Sequence, residues 1–251
     1  MKNHELLFLG TGNAFGHDGR RHSAYVVTAR HADEKKILLM DCGPSTLPAL
    51  HENKIDPAMI NYIYLSHLHP DHWLGLPLLV LDNKWITKRP NPIPIICPPG
   101  TEELIKNACG LLYSTEEAEI VSDTFLFKEV DDHSSISLHR DFSIQTIPAL
   151  HGANGRMALI TYFGKTIGYS GDSAFFEPSF RKLVQCEIIL HEASTFDLHI
   201  PNHTNVLELL QNKDLIKGRM FLTHVDSSVT QKSHLLEPPI FLAEENMKIQ
   251  F

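Results

Sequence analysis

The sequence predicts a single α/β domain spanning residues 1–251. The chain has 251 residues, 43% hydrophobic and 21% charged, a composition ordinary for a globular protein with its own core. Short β-branched and aromatic runs, typical of strands, alternate with segments of helical character. No linker, low-complexity segment or fixed-period repeat divides the chain. We therefore expect layers of sheet and helix, in which strands come first along the chain and helices lie between them.

The first half of the sequence predicts strands separated by Gly- and charge-rich turns. The apolar run 62–66 has the pattern of a buried strand. Because Pro70 cannot donate to a sheet ladder, we expect this strand to end around His69. Strands are predicted over 5–9, 23–28, 35–41 and 62–69, and helices over 44–53, 72–83 and 101–108. The short run 93–97 lies within a Pro-rich stretch.

Two of these helices carry more detailed predictions. The helix over 72–83 places Leu74, Leu78 and Leu81 on one face, and Thr101 is the expected N-cap of the helix over 101–108. The second half repeats the pattern of short strands and punctuating helices. Strands are predicted over 142–147, 157–163, 166–169, 187–190 and 219–223, and a helix over 206–211.

Charge and cysteine content limit the classes of partner. The net charge is −8 with histidine neutral, and no run of Lys or Arg is longer than a pair. This disfavours binding of extended nucleic acid but leaves open a small phosphate ester, which metal ions can attract. The four cysteines form no CxxC pair, and no signal peptide or membrane span is visible. We therefore expect a cytoplasmic protein that does not engage a membrane.

Sixteen histidines, about three times the ordinary share, direct attention to metal chemistry. His67 and His69 follow an apolar strand and project to the same side, because side chains of extended backbone alternate. The turn at Pro70 returns Asp71 and His72 towards the same point. Three imidazoles and one carboxylate suit Zn²⁺ or a similar borderline ion.

These residues resemble the HxHxDH signature of the metallo-β-lactamase superfamily. Four other positions match its remaining motifs in chain order: Asp41 before this segment, and His151, Asp172 and His224 after it. The resemblance implies a four-layer αββα sandwich, with two mixed β-sheets, helices outside and metals at one edge. It also implies two divalent metal ions. Zn²⁺ is the expected metal, and Mn²⁺ and Fe²⁺ are the alternatives. The implied ligands are His67, His69, His151 and Asp172 for one ion, and Asp71, His72, Asp172 and His224 for the other.

The implied ligand sets also suggest roles in catalysis. Asp172 would bridge the ions, whereas Asp41 would support the metal loop without being a ligand. Two cations that share a carboxylate can activate water near neutral pH and clamp developing charge. Asp71, both ligand and neighbour of that water, would orient it and take its proton.

Three further features resemble the tRNA 3′-processing (ribonuclease Z) branch and its small phosphodiesterase relatives. The opening segment Leu9 to Ala14, followed by Arg21-His22-Ser23, is similar to that branch's N-terminal loop and strand. The segment from His191 to Phe196 is similar to that branch's HEAT-type motif, and Asn202-His203 to its later histidine element. In that branch the glutamate and the histidine work as a pair on the leaving oxygen. The resemblance therefore implies that Glu192 and His203 are catalytic here.

The sequence departs from the tRNA enzymes in one respect. Between His151 and Asp172 there is room for one hairpin only, where those enzymes commonly insert a long tRNA-binding arm. We therefore expect a phosphodiesterase acting on a small phosphodiester or nucleotide-like substrate. A tRNA 3′-processing endonuclease and a glyoxalase II-type thioester hydrolase are the alternatives. A non-enzymatic protein would have lost a ligand, and none is lost. A homodimer stays open.

Overall fold

Two seven-stranded mixed sheets face each other in the computed structural model, which describes residues 4–31, 34–152 and 154–251. The strand orders are β14-β1-β2-β3-β4-β5-β6 and β13-β12-β11-β10-β9-β8-β7. The strands are β1 Glu5–Gly10, β2 Ala24–His31, β3 Glu34–Met40, β4 Tyr62–Tyr64, β5 Ile93–Cys97, β6 Phe125–Glu129, β7 Ser135–His139, β8 Phe142–Pro148, β9 Arg156–Tyr162, β10 Lys165–Tyr169, β11 Ile188–Glu192, β12 Arg219–Thr223, β13 Ile240–Leu242 and β14 Lys248–Gln250.

Nine α-helices accompany these strands in the described residues. They are α1 Thr46–Glu52, α2 Pro70–Trp73, α3 Leu76–Asp82, α4 Thr101–Leu112, α5 Thr115–Glu119, α6 Val121–Thr124, α7 Glu177–Leu183, α8 Val206–Gln211 and α9 Ser227–Gln231. None of the described helices is both long and apolar enough to span a bilayer. The predicted α/β class is confirmed.

The two sheets have the same internal plan. In the first, β3, β4, β5 and β6 run parallel, and β1, β2 and β14 add antiparallel strands. In the second, β10 to β13 run parallel and β7 to β10 antiparallel. Parallel strands need helical crossovers, which cover the outer face of each sheet.

Three apolar clusters separate the four layers. The central cluster lies between the sheets and contains large buried rings such as Phe8, Tyr64 and Tyr169. A second cluster packs α1 to α4 and α6 on the first sheet, and a third packs α7 to α9 on the second. The expected αββα sandwich, two mixed sheets with helices outside, is therefore confirmed.

The strand predicted to reach His69 ends earlier, at Tyr64. The N–H of Ser66 donates to Oδ1 of Asp41 at 2.7 Å, and its hydroxyl donates to Oδ2 at 2.7 Å. At Ser66 the backbone N–H and the hydroxyl are therefore bonded to a side chain and not to a neighbouring strand. The segment between β4 and α2 is therefore a loop held by Asp41, and it carries the first histidines of the site.

The helix predicted over 72–83 is divided into α2 and α3. A Cβ at Gly75, between them, would lie 2.3 Å from the carbonyl oxygen of Gly43, so the break permits a close approach of two loops. The fully buried apolar residues of α3 include Leu76, Leu79 and Val80, whereas Leu74, Leu78 and Leu81, which were predicted to share one face, are half-buried.

The cap prediction was also wrong, because α4 begins at Thr101 with Gly100 as its N-cap residue. The hydroxyl of Thr101 donates to the carbonyl of Pro98.

Strands β6, β7, β13 and β14 were not predicted from the sequence. They are the outer strands of the two sheets, and their apolar runs are too short to stand out by pattern alone.

Candidate metal centre

The site residues lie on loops that follow the carboxyl ends of strands. Asp41 follows β3, the His67–His72 segment follows β4, and His224 follows β12. His151 follows β8, and Asp172 follows β10. Because these strand ends meet at one edge of the sandwich, five loops distant in sequence converge on one point. The structure brings together all seven residues predicted as metal ligands.

One group consists of His67, His69, His151 and Asp172, whose ligand atoms lie within 4.8 Å of one another. Nε2 of His67 is 3.6 Å from Oδ2 of Asp172. Nε2 of His151 is 2.9 Å from Nδ1 of His69. Nδ1 of His151 faces the carbonyl oxygen of Asn202 at 3.0 Å and must donate to it, which leaves Nε2 with its lone pair towards the site.

A second group consists of Asp71, His72 and His224, within the same 4.8 Å limit. Nε2 of His72 is 3.2 Å from Oδ2 of Asp71, and Nε2 of His224 is 3.4 Å from the same atom. Oδ2 of Asp172 is 3.5 Å from His72 Nε2 and 3.2 Å from His224 Nε2. Asp172 therefore lies between the two groups, where a bridging carboxylate would stand.

The donor atoms of the site are buried and unsatisfied, which is the observation that fits a metal. Of the buried side-chain atoms that have no hydrogen-bond partner within the described residues, four belong to the site: Nε2 of His67, His72 and His224, and Oδ1 of Asp172. Buried polar atoms are almost always paired, so an unpaired set that converges points to a cation. Imidazole nitrogen and carboxylate oxygen are donors that Zn²⁺ accepts.

For His67, His151 and Asp172, electrostatics support the same conclusion, whereas neighbouring carboxylates, led by Asp172, raise the pKa of His72 and of His224 against the effect of burial. Burial, reinforced by His72, holds the pKa of His67 well below its usual value, and burial also lowers the pKa of His151. Both rings are thus neutral, as a metal ligand must be. Burial alone would raise the pKa of Asp172, but His224, His72 and His67 hold it well below its usual value. The carboxylate is therefore charged.

Asp41 supports the centre from behind and has no solvent exposure. Besides Ser66, it accepts from Nδ1 of His72 at 2.7 Å and from the hydroxyl of Tyr169. The bond to Nδ1 fixes the tautomer of His72 and turns Nε2 towards the site. Tyr169 and Ser66 were not predicted as site residues, since a Tyr that ends an apolar strand gives no signal of this contact.

A buried carboxylate and a histidine lie beside the metal groups. Glu192 is 1% exposed, and its Oε1 and Oε2 lie 3.0 and 3.1 Å from Nδ1 of His203. The N–H of Ser173 and the hydroxyl of Ser194 also donate to Glu192. The His203 ring is stacked over that of His224, with centroids 5.5 Å apart. The predicted pair is thus formed and faces the cleft.

Glu192 controls the protonation of its partner. Burial alone would lower the pKa of His203, but the hydrogen bond and charge of Glu192 raise it overall. Because Nδ1 is bonded to Glu192, Nε2 is the nitrogen left for a substrate. His203 also forms a third group of potential metal ligands with Asp172 and His224. The metal content of a His203 variant therefore tests whether this histidine binds an ion.

Three of these loops contain non-glycine residues with positive φ: Asp41 at 56°, Asn202 at 65° and His224 at 54°. This region costs about 1–3 kcal/mol for ordinary residues and persists where surrounding contacts impose it. All three lie at the centre, where surrounding contacts hold the backbone in this conformation; the other seven such residues of the described chain lie elsewhere.

The mouth of the cleft contains residues that were not predicted as site residues. A cavity of about 150 Å³ is lined by site residues and by residues of two other loops: His69, Asp71, Asp172, Ser194, His203 and His224, and also Asn13, Ala14, Phe15 and Ile200. Phe15 is 83% exposed. An aromatic residue in a glycine-containing loop gives no functional signal without its neighbours in space, so Phe15 was missed.

Comparison with known families decides where the chain belongs. The family described as "Anti-Pycsar protein Apyc1" matches residues 4–245. The chain belongs to this family. The match to the Apyc1 family covers nearly the whole described length, and its range includes the positions of the metal centre.

Ribonucleases Z are similar to this Apyc1-family chain in sequence. Ribonuclease Z of Methanocaldococcus jannaschii is 26% identical over 92% of this chain and 88% of its own length. Other relatives named ribonuclease Z or ribonuclease BN are matched over 38%, 35% and 42% of their lengths. The predicted superfamily and its ribonuclease Z-like branch are confirmed.

Solved structures agree on the fold. The metallo-β-lactamase fold protein YhfI of Bacillus subtilis has a TM-score of 0.79 at 18% identity, covering 99% of this chain and all of its own. A diphosphatase from the PhnP family has a TM-score of 0.77 at 19% identity, covering 99% and 98%. Together with the His/Asp groups, the relatives support a metal-dependent hydrolase.

Proposed function

We propose that this protein is a dinuclear phosphodiesterase that acts on a small phosphodiester or nucleotide-like substrate. The carrying observation is the Glu192–His203 pair, held at 3.0 Å beside the two metal groups. A hydrolase needs both attack on the phosphorus and protonation of the leaving oxygen. The metal groups would support the attack on phosphorus, and the Glu192–His203 pair would protonate the leaving oxygen.

Two divalent ions, with zinc the first candidate, would lower the pKa of a shared water and neutralise the phosphoryl oxygens when bound. His67, His69, His151 and Asp172 would hold one ion. Asp71, His72, Asp172 and His224 would hold the other. Since Asp71 is 11% exposed in its side chain and borders the cleft, its carboxylate would orient the attacking water and accept its proton.

His203 would act as general acid. Its Nε2 donates a proton to the leaving alkoxide, while Glu192 keeps the ring oriented and favours the imidazolium form. Glu192 itself is held by Ser173 and Ser194, so the pair is positioned before substrate enters. Pre-organised groups of this kind need little rearrangement during reaction.

This pair distinguishes the proposal from its first alternative. A thioester releases a thiolate, whose parent thiol has a pKa of about 8.5, so it departs without a proton donor. An alkoxide is far more basic and requires one. A glyoxalase II-type thioester hydrolase therefore gives no reason for a buried glutamate bonded to a cleft histidine.

The second alternative is a tRNA 3′-processing endonuclease, the activity named for ribonuclease Z relatives. Between His151 and Asp172 the described residues form β9, β10 and their turn, which leaves no long arm. No Lys or Arg of the described chain lines the cavity at the centre. Phosphate contacts supply most non-specific nucleic-acid affinity, so both features favour a small substrate.

Three substrates test the proposal. With Zn²⁺ or Mn²⁺ we expect turnover of bis(p-nitrophenyl) phosphate, little hydrolysis of a glutathione thioester, and little cleavage of a precursor tRNA 3′ trailer. Asp71→Asn is the matched control for metal-dependent background. Turnover of the thioester alone, or efficient site-specific trailer cleavage, would replace the proposal by the corresponding alternative. The homodimer and the cytoplasmic location stay predictions.

A further inference from the structure

An exposed aromatic side chain stands at the mouth of the metal cleft. Phe15 is 83% exposed, although burying a phenylalanine stabilises a fold by about 1.5–3 kcal/mol. It lines the cavity of about 150 Å³ that also contains Asp71, Asp172 and His203. The packing of the fold does not account for a large apolar ring at this place.

The loop that carries Phe15, residues 11–20, is tied down at both sides. Arg20 donates to Oγ1 of Thr11 at 2.6 Å and is 10% exposed in its side chain. Asp18 accepts from the hydroxyls of Ser227 and Thr230 at 3.0 and 2.7 Å. These contacts do not involve the Phe15 ring. The ring can therefore be replaced without loosening the loop.

The tip of the loop has its own hydrogen bonds. The N–H of Phe15 donates to Oδ1 of Asn13 at 3.1 Å, and the Asn13 side chain also meets the His17 ring. Gly16 takes a φ of 60°, which completes the turn. Phe15 is thus presented on a hydrogen-bonded turn, and its ring and that of His17 are T-shaped to each other with centroids 5.8 Å apart.

The chemistry of the cavity divides in two. One part is lined by His203 and by His69, Asp71, Asp172 and His224 of the metal groups, which would engage one phosphodiester. The other part is apolar, with Ala14 and Phe15 on one loop and Ile200 on another. No Lys or Arg among the described residues lines it, so further phosphates would find no counter-charge. The apolar part suits a flat uncharged ring better than a second anionic group.

We propose that Phe15 is a substrate-binding residue on which the base of a nucleoside phosphodiester stacks. The inference rests on the proposed function and names the part of the substrate that does not react. Base–aromatic stacking is worth about 1–3 kcal/mol and tolerates any base, since every base has a π-face. Phe15 therefore supplies affinity for a base without selecting which base.

Two esters with one leaving group isolate this contact. Thymidine 5′-(p-nitrophenyl phosphate) carries a base, and the abasic deoxyribose 5′-(p-nitrophenyl phosphate) lacks it. With Phe15→Ala we expect KM for the thymidine ester to rise about tenfold or more, and kcat/KM for the abasic ester to stay within about twofold. Phe15→Trp should keep the wild-type KM, and Phe15→Leu should behave as Phe15→Ala.

The matched control is Leu198→Ala, which removes an apolar side chain that is 64% exposed and lies outside the cavity lining. It should change neither ester. Equal losses on both esters with Phe15→Ala, no loss on either, or a wild-type KM with Phe15→Leu would each overturn the stacking role.

A binding measurement separates this inference from the proposed function. By calorimetry, Kd for thymidine 5′-monophosphate should rise about tenfold in Phe15→Ala, whereas Kd for inorganic phosphate should not change. Failure of the wild type to turn over either ester would refute the phosphodiesterase proposal. An unchanged Kd for thymidine 5′-monophosphate would refute the role of Phe15.

Discussion

The carbonyl oxygen of Asn202 accepts a hydrogen bond from Nδ1 of His151 at 3.0 Å, one residue before His203. One short turn therefore orients a proposed metal ligand and presents the proposed general acid. The turn depends on Asn202 having a φ of 65°. The position of the proposed metal ligand His151 and that of the proposed general acid His203 are therefore coupled through Asn202, although the Asn202 side chain is exposed.

This coupling predicts a difference between two substitutions. Asn202→Val strains the positive φ by about 1–3 kcal/mol and should shift the turn. Disturbing a hydrogen bond to a metal-bound histidine typically costs about 10–100-fold in metal affinity, so we expect at least a tenfold loss. Asn202→Gly adopts this φ freely and is the control, expected near wild type. Metal titration followed by mass spectrometry measures both, and equal affinities in the two variants would contradict the coupling.

Asp172 should matter to both ions, since it lies between the two groups. We expect Asp172→Ala to weaken both sites and abolish turnover. His224→Ala should mainly empty the site of Asp71 and His72. Metal content of the purified variants gives the answer. Two tightly held ions per chain in Asp172→Ala would show that the bridging assignment is wrong.

His203 should act on the leaving group alone. General acid catalysis typically contributes about 10²–10⁴-fold, and the benefit shrinks when the leaving group needs no proton. We expect His203→Ala to slow an alkyl phosphodiester by that factor, to slow a p-nitrophenyl ester much less, and to leave metal content unchanged.

His199→Ala, on the same loop and exposed, is the matched control for His203→Ala. It should change neither rate. Equal losses on the two esters in His203→Ala would argue against a proton donor. Loss of an ion would instead identify His203 as a ligand of the group it forms with Asp172 and His224.

Asp41 should stabilise both the fold and the second ion. Asp41→Asn keeps the shape but removes an acceptor from His72, Ser66 and Tyr169. We expect the free energy of unfolding to fall by about 2–3 kcal/mol and affinity for the second ion by about 10–100-fold. Tyr169→Phe removes one of the same bonds and should cost about 1 kcal/mol. Urea denaturation and metal titration compare the pair, and equal effects would mean that Tyr169 alone orients Asp41.

His191 should make stability fall in acid. Burial lowers its pKa from 6.5 to about 4, and its Nδ1 donates to the carbonyl of Glu192 at 2.7 Å. Since the folded-state pKa is the lower one, the unfolded chain binds the proton first, and stability is lost as pH falls from 6.5 towards 4. Between pH 7 and pH 5 this histidine should contribute a loss of about 2 kcal/mol.

His191→Asn retains a donor near Nδ1 but does not titrate. The difference in unfolding free energy between pH 7 and pH 5 should therefore be about 2 kcal/mol smaller in the variant than in the wild type. Urea denaturation at both pH values, with the same metal content, makes the comparison. An identical pH dependence in the two proteins would show that His191 is not the group responsible.

The sequence by itself determined the candidate ligands and the sandwich. Ligands of the His67–His72 segment are close along the chain, so spacing and extended geometry are enough to recognise them. The resemblance then located Asp41, His151, Asp172 and His224 by motif order. Glu192 and His203 followed from motifs of the ribonuclease Z-like branch, and the structure brings them to 3.0 Å.

Only the tertiary structure decided which atoms face the centre and what surrounds it. The strand before His67 ends at Tyr64 because a side chain 25 residues earlier takes the hydrogen bonds of Ser66. The support from Tyr169 and the exposure of Phe15 depend on loops that are separated in the chain and meet at one sheet edge. Such contacts are made between segments, and local patterns of hydrophobicity and spacing carry no information about them.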